Sequence, residues 1–237
     1  ITTIASGATL EVDAGAQLLF NLADLDPTFN IYGTLILVGD NTNTAVIKEF
    51  NSAGWNRGIA MRAYSGANLK FNYYKVERLN YNGFVIDDGV TIDPLNNFSN
   101  GLWMNMYPNN QYIDPADGVT IRDRFYYMRI SANTTSIGNI ENVVFQHPTT
   151  PIVGRHYNIY RPTGCAGNIN LAGDITGNMG SETYELDPNN QVFWPTPSKV
   201  VWRGVVNSDW FEPGNWNPPT VPTSNVDAEI PRITTGG

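Results

Sequence analysis

The pentapeptide Asp88-Gly89-Val90-Thr91-Ile92 occurs a second time, 29 residues further along, as Asp117-Gly118-Val119-Thr120-Ile121. A related phrase, a glycine followed by small residues and a leucine within an alternating apolar run, occurs at Gly7–Val12, Gly15–Phe20, Gly33–Val38 and Gly66–Phe71. Each copy begins at a turn glycine and continues as a short strand with apolar residues at alternate positions. Repeats of this size indicate a solenoid, because one unit is too small to bury its own apolar face.

The N-terminal fifty residues follow this strand pattern throughout, and no window shows helical periodicity of convincing length. The pattern predicts strands at residues 9–12, 17–20, 29–32, 34–38 and 45–50. The stretch from His147 to Arg161 contains Pro148 and Pro151, which favours a loop crossing between strands. The glycine-rich residues 161–199 predict an irregular end of the stack and then a linker.

Asn is the most frequent residue type, and many copies stand at the borders between strands and turns, among them Asn80, Asn82, Asn96, Asn97 and Asn100. Two interpretations remain open. In a parallel stack, equivalent positions lie about 4.8 Å apart, so amides can donate and accept along a ladder. Asn is also a common turn residue, because it tolerates the left-handed backbone region.

Composition excludes several classes of function. The net charge of −8 and the absence of a basic stripe argue against a nucleic-acid partner. No apolar run approaches the roughly 20 residues of a membrane span. The lone Cys165 excludes an internal disulfide framework and is interpreted as a small buried residue. The chain starts at Ile1 without an initiator Met, so we expect a processed or internal segment of a longer protein.

The C-terminal segment carries a tryptophan-rich motif: Trp202-Arg203-Gly204, Asp209-Trp210-Phe211, Gly214-Asn215-Trp216 and Val221-Pro222-Thr223-Ser224, followed by Asp227. It resembles the module-opening motif of large secreted proteins of Bacteroidota and similar bacteria. Residues 1–195 are similar to the right-handed parallel β-helix regions of such proteins. The resemblance implies an all-β chain with a parallel β-helix at 1–195, followed at 196–237 by a linker and the first strands of a Trp-rich β module.

The resemblance also implies export, through the type 9 secretion route, to the cell surface or the extracellular space. The expected function is non-enzymatic: a rigid spacer, adhesin stalk or secretion cargo. Its expected partners are other modules of the same long chain, the secretion machinery and surface components. The alternative is a β-helix that binds or degrades polysaccharides. Fold alone does not decide between these functions.

An enzyme of this fold needs convergent carboxylates. The pair Asp87-Asp88 resembles the paired aspartates of polygalacturonase-like hydrolases, but the other motifs of that family, Asn-Thr-Asp, Gly-His-Gly and Arg-Ile-Lys, do not occur. Neighbouring residues of a strand point to opposite faces, so Asp87 and Asp88 would not converge on one substrate. Asp88 directly precedes Gly89, which favours a structural role for Asp88 in a turn. The two histidines, His147 and His156, lack a third metal ligand at a recognisable spacing and are interpreted as surface or loop residues.

We therefore predict neither catalytic residues nor a cofactor. Calcium is the remaining metal candidate, with oxygen ligands from Asp24 and Asp26 or from Asp114 and Asp117, although a specific calcium loop is absent. Flat rings with polar tips are suited to stacking on sugars. The sequence-based candidates for such a stacking face are Trp103, Tyr107, Tyr126 and Tyr127. The alternative is that these rings pack inside the stack.

Overall fold

A computed structural model describes residues 1–21, 27–51, 58–106, 112–113, 120–121, 124–195, 199–217, 219, 221–222 and 227–230. These residues form an all-β structure with two short 3₁₀ turns, η1 (Glu182–Tyr184) and η2 (Pro213–Asn215). The chain divides into two compact units, Ile1–Phe193 and Trp194–Gly237. The domain boundary predicted after residue 195 lies two residues beyond this division.

The strands follow one another closely along the chain. The first half contains β1 (Thr2–Ile4), β2 (Thr9–Val12), β3 (Gln17–Asn21), β4 (Thr28–Ile31), β5 (Thr34–Val38), β6 (Ala45–Asn51), β7 (Ile59–Ala63), β8 (Asn68–Glu77), β9 (Leu79–Ile86) and β10 (Thr91–Met104). The second half contains β11 (Tyr112–Ile113), β12 (Thr120–Ile121), β13 (Phe125–Ile130), β14 (Asn139–Glu141), β15 (Val144–Gln146), β16 (His156–Tyr160), β17 (Ile169–Ala172), β18 (Val192–Phe193), β19 (Lys199–Trp202), β20 (Trp216–Asn217) and β21 (Asp227–Glu229). All five strands predicted in the first fifty residues are present.

Most strands of the N-terminal unit lie in two large parallel sheets, and the chain passes repeatedly from one sheet to the other. Sheet A has the order β1-β4-β7-β9-β13-β16, and every neighbouring pair in it is parallel. Sheet B has the order β2-β5-β8-β10-β15, with β3 paired to β6 and β6 paired to β8, again in parallel. Strands β14, β17 and β18 form a third parallel sheet.

Three of the four glycine-led phrases occupy equivalent positions in sheet B. Leu10 pairs with Leu35, Leu35 with Leu69, and Leu69 with Ile92 of the first pentapeptide. The prediction that these phrases are neighbouring parallel strands is confirmed for Gly7–Val12, Gly33–Val38 and Gly66–Phe71. The phrase Gly15–Phe20 forms β3, which pairs in parallel with β6 instead. The second pentapeptide differs. Its first three residues lie outside the described part of the chain, and Thr120–Ile121 pairs antiparallel with β11.

Inward-facing side chains of sheet A form continuous apolar rows across the strands. One row comprises Phe29, Met61, Phe84 and Met128, and a second comprises Ile31, Ala63, Ile86 and Ile130. All eight residues are at most 1% exposed. Burying a large apolar side chain contributes about 1.5–3 kcal/mol, so these rows are a main source of stability.

Asparagines serve both of the purposes that the sequence left open. Asn100 Nδ2 donates to Asn72 Oδ1 at 2.9 Å, and Asn142 Nδ2 donates to Asn100 Oδ1 at 3.2 Å. This ladder links three successive repeats. Asn100 and Asn142 also adopt left-handed backbone angles, with φ of 55° and 56°. The same asparagines therefore adopt the backbone conformation of the turn and form side-chain hydrogen bonds to the asparagine of the neighbouring repeat.

The loop predicted from His147 to Arg161 is wrong in part, because β16 lies inside it and forms the last strand of sheet A. The prolines stand before the strand and leave its backbone N–H groups free to pair with β13. Beyond it, Arg161 is completely buried, and its guanidinium donates to five oxygens of the surrounding loops.

The C-terminal unit contains β19–β21, η2 and a small core built from the tryptophan motif. Trp202, Trp210 and Trp216 contact one another with ring centroids 4.5 to 6.0 Å apart, and Trp216 Nε1 donates to the carbonyl of Trp210. Asn215 is buried, and its Oδ1 accepts hydrogen bonds from two backbone N–H groups. In the described part of the whole chain, no helix has the length and apolarity required to span a bilayer.

Candidate functional site

The outer face of sheet A carries a row of polar side chains set by the strand register. Asn30 of β4 aligns with Arg62 of β7, which aligns with Val85 of β9. Val85 aligns with Arg129 of β13, and Arg129 aligns with Tyr160 of β16. Because side chains alternate along each strand, the inward rows described above require these residues to face outward.

A bulge in β9 shapes the middle of this face. Ile59 pairs with Leu79 and Met61 with Phe84, so β9 has three more residues than β7 between the two pairs. Asn80 Oδ1 accepts a hydrogen bond from the N–H of Asn82 within the bulge. Gly83 has φ of 66°, and a Cβ there would lie 2.3 Å from the carbonyl oxygen of Tyr126. Glycine is therefore required at this position.

Together these strands enclose an open groove of about 300 Å³, which we call the sheet A groove. Its volume is at the lower end of the range of small-ligand sites. Its described lining residues are Thr28, Asn30, Ala60, Met61, Arg62, Tyr64, Asn80, Asn82, Gly83, Val85, Asp87, Arg129 and Ser131. Several of these residues are small, and two arginines and one aspartate leave a local net charge of +1.

One wall of the sheet A groove is an ion pair stacked on tyrosines. Arg62 Nε donates to the two carboxylate oxygens of Asp87 at 3.2 and 3.0 Å, and this hydrogen bond raises the pKa of Arg62. The Arg62 guanidinium lies 4.9 Å from the ring centroid of Tyr64. Tyr64 stacks on Tyr32 at 4.4 Å, and burial raises the pKa of Tyr64.

The opposite side of the groove continues into a strip of arginines and tyrosines. The Arg129 guanidinium lies 5.2 Å from the Tyr160 ring centroid, within the range of a cation–π contact. Tyr126 stacks on Tyr157 and Tyr160, with centroids 5.3 Å apart in both pairs. Arg124 lies over Tyr126 and Tyr157 at 5.1 and 5.6 Å. We call these five residues the Arg–Tyr strip.

The predicted stacking face of Trp103, Tyr107, Tyr126 and Tyr127 is not formed by the residues that the structure describes. Trp103 and Tyr127 are 0% exposed, because they occupy inward positions of β10 and β13. Trp103 Nε1 donates to the Tyr74 hydroxyl at 2.8 Å, and burial raises the pKa of Tyr127. Tyr107 lies outside the described residues. Tyr126 is half-buried and belongs to the Arg–Tyr strip.

The two aspartates considered for hydrolysis have separate structural duties. Asp87 is paired with Arg62, whereas Asp88 Oδ1 accepts a hydrogen bond from the N–H of Gly89 in the turn. Asp88 is exposed and does not line the groove. Its hydrogen bond from Gly89 is the one expected of a turn residue. Among the described lining residues, Asp87 is the single carboxylate.

The histidine interpretation is corrected by the structure. His147 and His156 are 5% and 1% exposed, and their ring centroids lie 4.8 Å apart against Phe125. His156 is the first residue of β16 and His147 directly follows β15, and both side chains are buried. In the described residues no group of three or more His, Cys, Asp or Glu side chains could hold a metal ion.

The remaining metal and thiol candidates give less information. All four aspartates proposed for calcium, Asp24, Asp26, Asp114 and Asp117, lie outside the described residues. Cys165 is a free thiol of intermediate burial, and its Sγ lies 3.9 Å from the Ile130 carbonyl oxygen.

Sequence reasoning missed the sheet A groove because its two arginines stand 67 residues apart in the chain. The signal was present in Ile59-Ala60-Met61-Arg62-Ala63, where a single charge occupies an outward position of an otherwise apolar strand. Arg129 is likewise the single charged residue in the strand Phe125–Ile130. Aligning the two required the strand register, which the repeats did not specify in this region.

Comparison with known proteins adds no relative: no protein-family model, curated protein or solved structure matches the chain.

Proposed function

We propose that the N-terminal unit is a right-handed parallel β-helix that acts as a rigid, non-enzymatic segment of a large exported bacterial protein. It would serve as a spacer or stalk at the cell surface or in the extracellular space, between other modules of the same chain. The tryptophan-rich unit would begin the next module. This role requires no cofactor.

The parallel register of sheets A and B is the observation that carries this proposal. The chain returns repeatedly to each of the two sheets, from β1 and β2 near the start to β15 and β16, and every new strand pairs in parallel with a strand of the same sheet. Each repeat covers the apolar rows of the next, as in solenoids. Every central strand is bonded on both sides, so bending or stretching the stack breaks many interactions at once.

The groove chemistry favours a non-enzymatic role. Hydrolysis of a glycosidic bond by the usual mechanism needs two carboxylates about 5–10 Å apart. The described lining of the sheet A groove supplies Asp87 alone, and Asp87 is already paired with Arg62. Incubation of the chain with neutral and acidic polysaccharides should release no oligosaccharides. Release that depends on Asp87 would contradict the proposal.

The mechanical part of the proposal is tested by stretching single molecules of the full chain between two attached handles. A β-helix should lengthen in a series of small steps, because repeats detach one after another. A single large step for the whole N-terminal unit would contradict this.

Export is tested on the cells that produce the protein. An exported segment should be accessible to an antibody and to protease on intact cells. Protection until the cells are lysed would contradict a surface location. Secretion by the type 9 route, with its machinery as partner, predicts loss of the surface signal when that route is inactivated.

Polysaccharide binding is the second candidate function, and a specific observation favours it. The outer face of sheet A combines an open groove, outward amides and stacked tyrosines. Polar groups and flat rings arranged along an extended surface are suited to contacting a sugar chain. A spacer with a binding face would be adhesive.

A further inference from the structure

We propose that the sheet A groove and the adjoining part of the Arg–Tyr strip bind an acidic saccharide chain through its carboxylate groups, in the manner of a uronate polymer. This inference rests on the second candidate function and names its ligand class. The residues assigned to the site are Arg62, Arg129, Tyr64 and Tyr160, with Asn30 and Asn82 at its edges.

Charge is the first argument. The whole chain carries a net charge of −8, yet the described lining of this groove is positive by one charge. Arg129 is exposed, and in the described part of the chain it has no ion-pair partner. Arg62 uses its Nε for Asp87 while its side chain stays 49% exposed. Both guanidinium groups can therefore donate two hydrogen bonds to one ligand carboxylate, in a bidentate pair.

The spacing of the arginines is the second argument. Arg62 and Arg129 stand on strands separated by β9 alone, with Val85 between them. Adjacent strands are about 4.8 Å apart, so the two Cα atoms are separated by roughly 10 Å along the stacking direction. A chain lying along this direction would meet one cation at each end of a short, uncharged floor. This arrangement fits a polymer with repeated carboxylates better than a single small anion.

The rings and amides are the third argument. Tyr64 and Tyr160 stand beside the two arginines and are held by their stacking partners, Tyr32 and Tyr126. Preorganised rings lose little conformational entropy on binding. Asn30 and Asn82 supply donors and acceptors for hydroxyl groups. Cations, flat faces and amides in one open groove match the three chemical features of a uronate chain.

The binding experiment uses the full chain and four probes: oligogalacturonate, its fully methyl-esterified form, a sulfated oligosaccharide and a neutral glucan. Isothermal titration calorimetry gives the dissociation constant for each. We expect oligogalacturonate to bind at least about tenfold more tightly than its ester, because the ester cannot pair with guanidinium groups. Added salt should weaken this binding by screening the exposed charges.

Matched variants locate the site. Arg129→Gln should weaken oligogalacturonate binding about tenfold or more, whereas Arg203→Gln, the same charge change at an exposed position of the C-terminal unit, should leave it unchanged. Tyr160→Ala should weaken binding, and Tyr160→Phe should retain it, because the ring face persists. Thermal melting checks that each variant is folded.

Each outcome bears on a distinct claim. If no probe binds, both the second candidate function and this inference fail, and the spacer proposal is unaffected. If the ester or the neutral glucan binds as tightly as oligogalacturonate, polysaccharide binding stands and carboxylate recognition fails. Tighter binding of the sulfated probe would overturn the assignment to uronates. If Arg129→Gln and Arg203→Gln change binding equally, the assignment of the binding site to the sheet A groove is wrong.

Discussion

Arg161 is a charged residue that is completely buried. Its guanidinium donates five hydrogen bonds of 2.6 to 3.1 Å, to the carbonyls of Ile130, Ala132, Ala166 and Gly167 and to the Thr134 hydroxyl. Burial lowers its pKa, and the nearby Cys165 and Asp187 oppose this change. The side chain thus connects the end of β13 with the loops that follow it. Two of its acceptors also receive other hydrogen bonds: the Ala166 carbonyl from the Thr134 N–H and the Gly167 carbonyl from Gln191 Nε2.

Replacing Arg161 with Met should destabilise the N-terminal unit by at least about 3 kcal/mol, because five oxygens around the side chain each lose a hydrogen bond. Arg161→Lys should cost nearly as much, since an ammonium group cannot reach five separated acceptors. Urea unfolding followed by circular dichroism measures both. The control is Arg129→Met on the exposed face, with an expected cost below about 1 kcal/mol. Similar costs at the two positions would contradict this account.

The stacked tyrosines predict a loss of stability in alkali. Burial raises the pKa of Tyr126 to about 12, and burial also raises the pKa of Tyr157. A raised tyrosine pKa means that the folded state disfavours the phenolate. The stabilising contribution is therefore complete below the unfolded value of 10.0 and is lost as the pH rises from there towards the folded value.

Near-ultraviolet absorbance, which detects phenolate, and circular dichroism should be followed together as the pH is raised. We expect part of the tyrosine signal to appear above pH 10, and stability to fall over the same range. Tyr126→Phe should reduce this fall because one such group is removed. Ionisation of all tyrosines near pH 10 without any loss of stability would contradict the prediction.

At the scale of elements, glycine-led strands could be predicted because their signal is local. Turn glycines and alternating apolar residues locate β2, β3 and β5 without knowledge of their neighbours. The burial of Trp103 was missed because strand alternation has two phases, and β10 changes register twice against β8. The alignment of Arg62 and Arg129 on either side of Val85 likewise depends on the register between strands that are distant in sequence. Local patterns identify strands, and tertiary pairing decides which side chains meet.

The asparagine ladder allows its two functions to be separated experimentally. Asn100→Gly keeps the left-handed backbone accessible and removes the side-chain hydrogen bonds, whereas Asn100→Ala removes the bonds and adds backbone strain. Asn100→Ala should therefore be less stable than Asn100→Gly by about 1 kcal/mol. Asn72→Ala, at a residue without positive φ, removes the hydrogen bond from Asn100 and a weaker one to the Leu95 carbonyl, and should cost about 1 kcal/mol.

Chemical denaturation of these three variants decides between the interpretations. If the two Asn100 variants are equally stable, the left-handed backbone at Asn100 does not require asparagine or glycine. If Asn72→Ala is as stable as the wild type, the asparagine ladder does not contribute to stability.

At the scale of the whole molecule, apolar rows replace ion pairs as the source of stability. Only 15% of the residues are charged. In the described part of the chain the ion pairs Arg62–Asp87, Lys70–Asp93 and Lys75–Glu77 lie at or near the surface, where each contributes at most about 1 kcal/mol. The pair between Arg78 and Glu49 is more buried. The inward rows of sheet A, by contrast, are continuous over four strands. Contacts in such a stack are made with the nearest repeats, so a defect should act mainly on its neighbours.

Phe84 tests this arrangement, because it lies in the middle of the row between Met61 and Met128 and is 0% exposed. Phe84→Ala should cost about 3–5 kcal/mol, whereas Phe50→Ala, at a ring that is 70% exposed, should cost less than about 0.5 kcal/mol. Amide hydrogen exchange should show the greatest loss of protection in β7, β9 and β13, with less change in β1. An equal loss across all strands of sheet A would mean that the unit unfolds as one cooperative block rather than as a stack of coupled repeats.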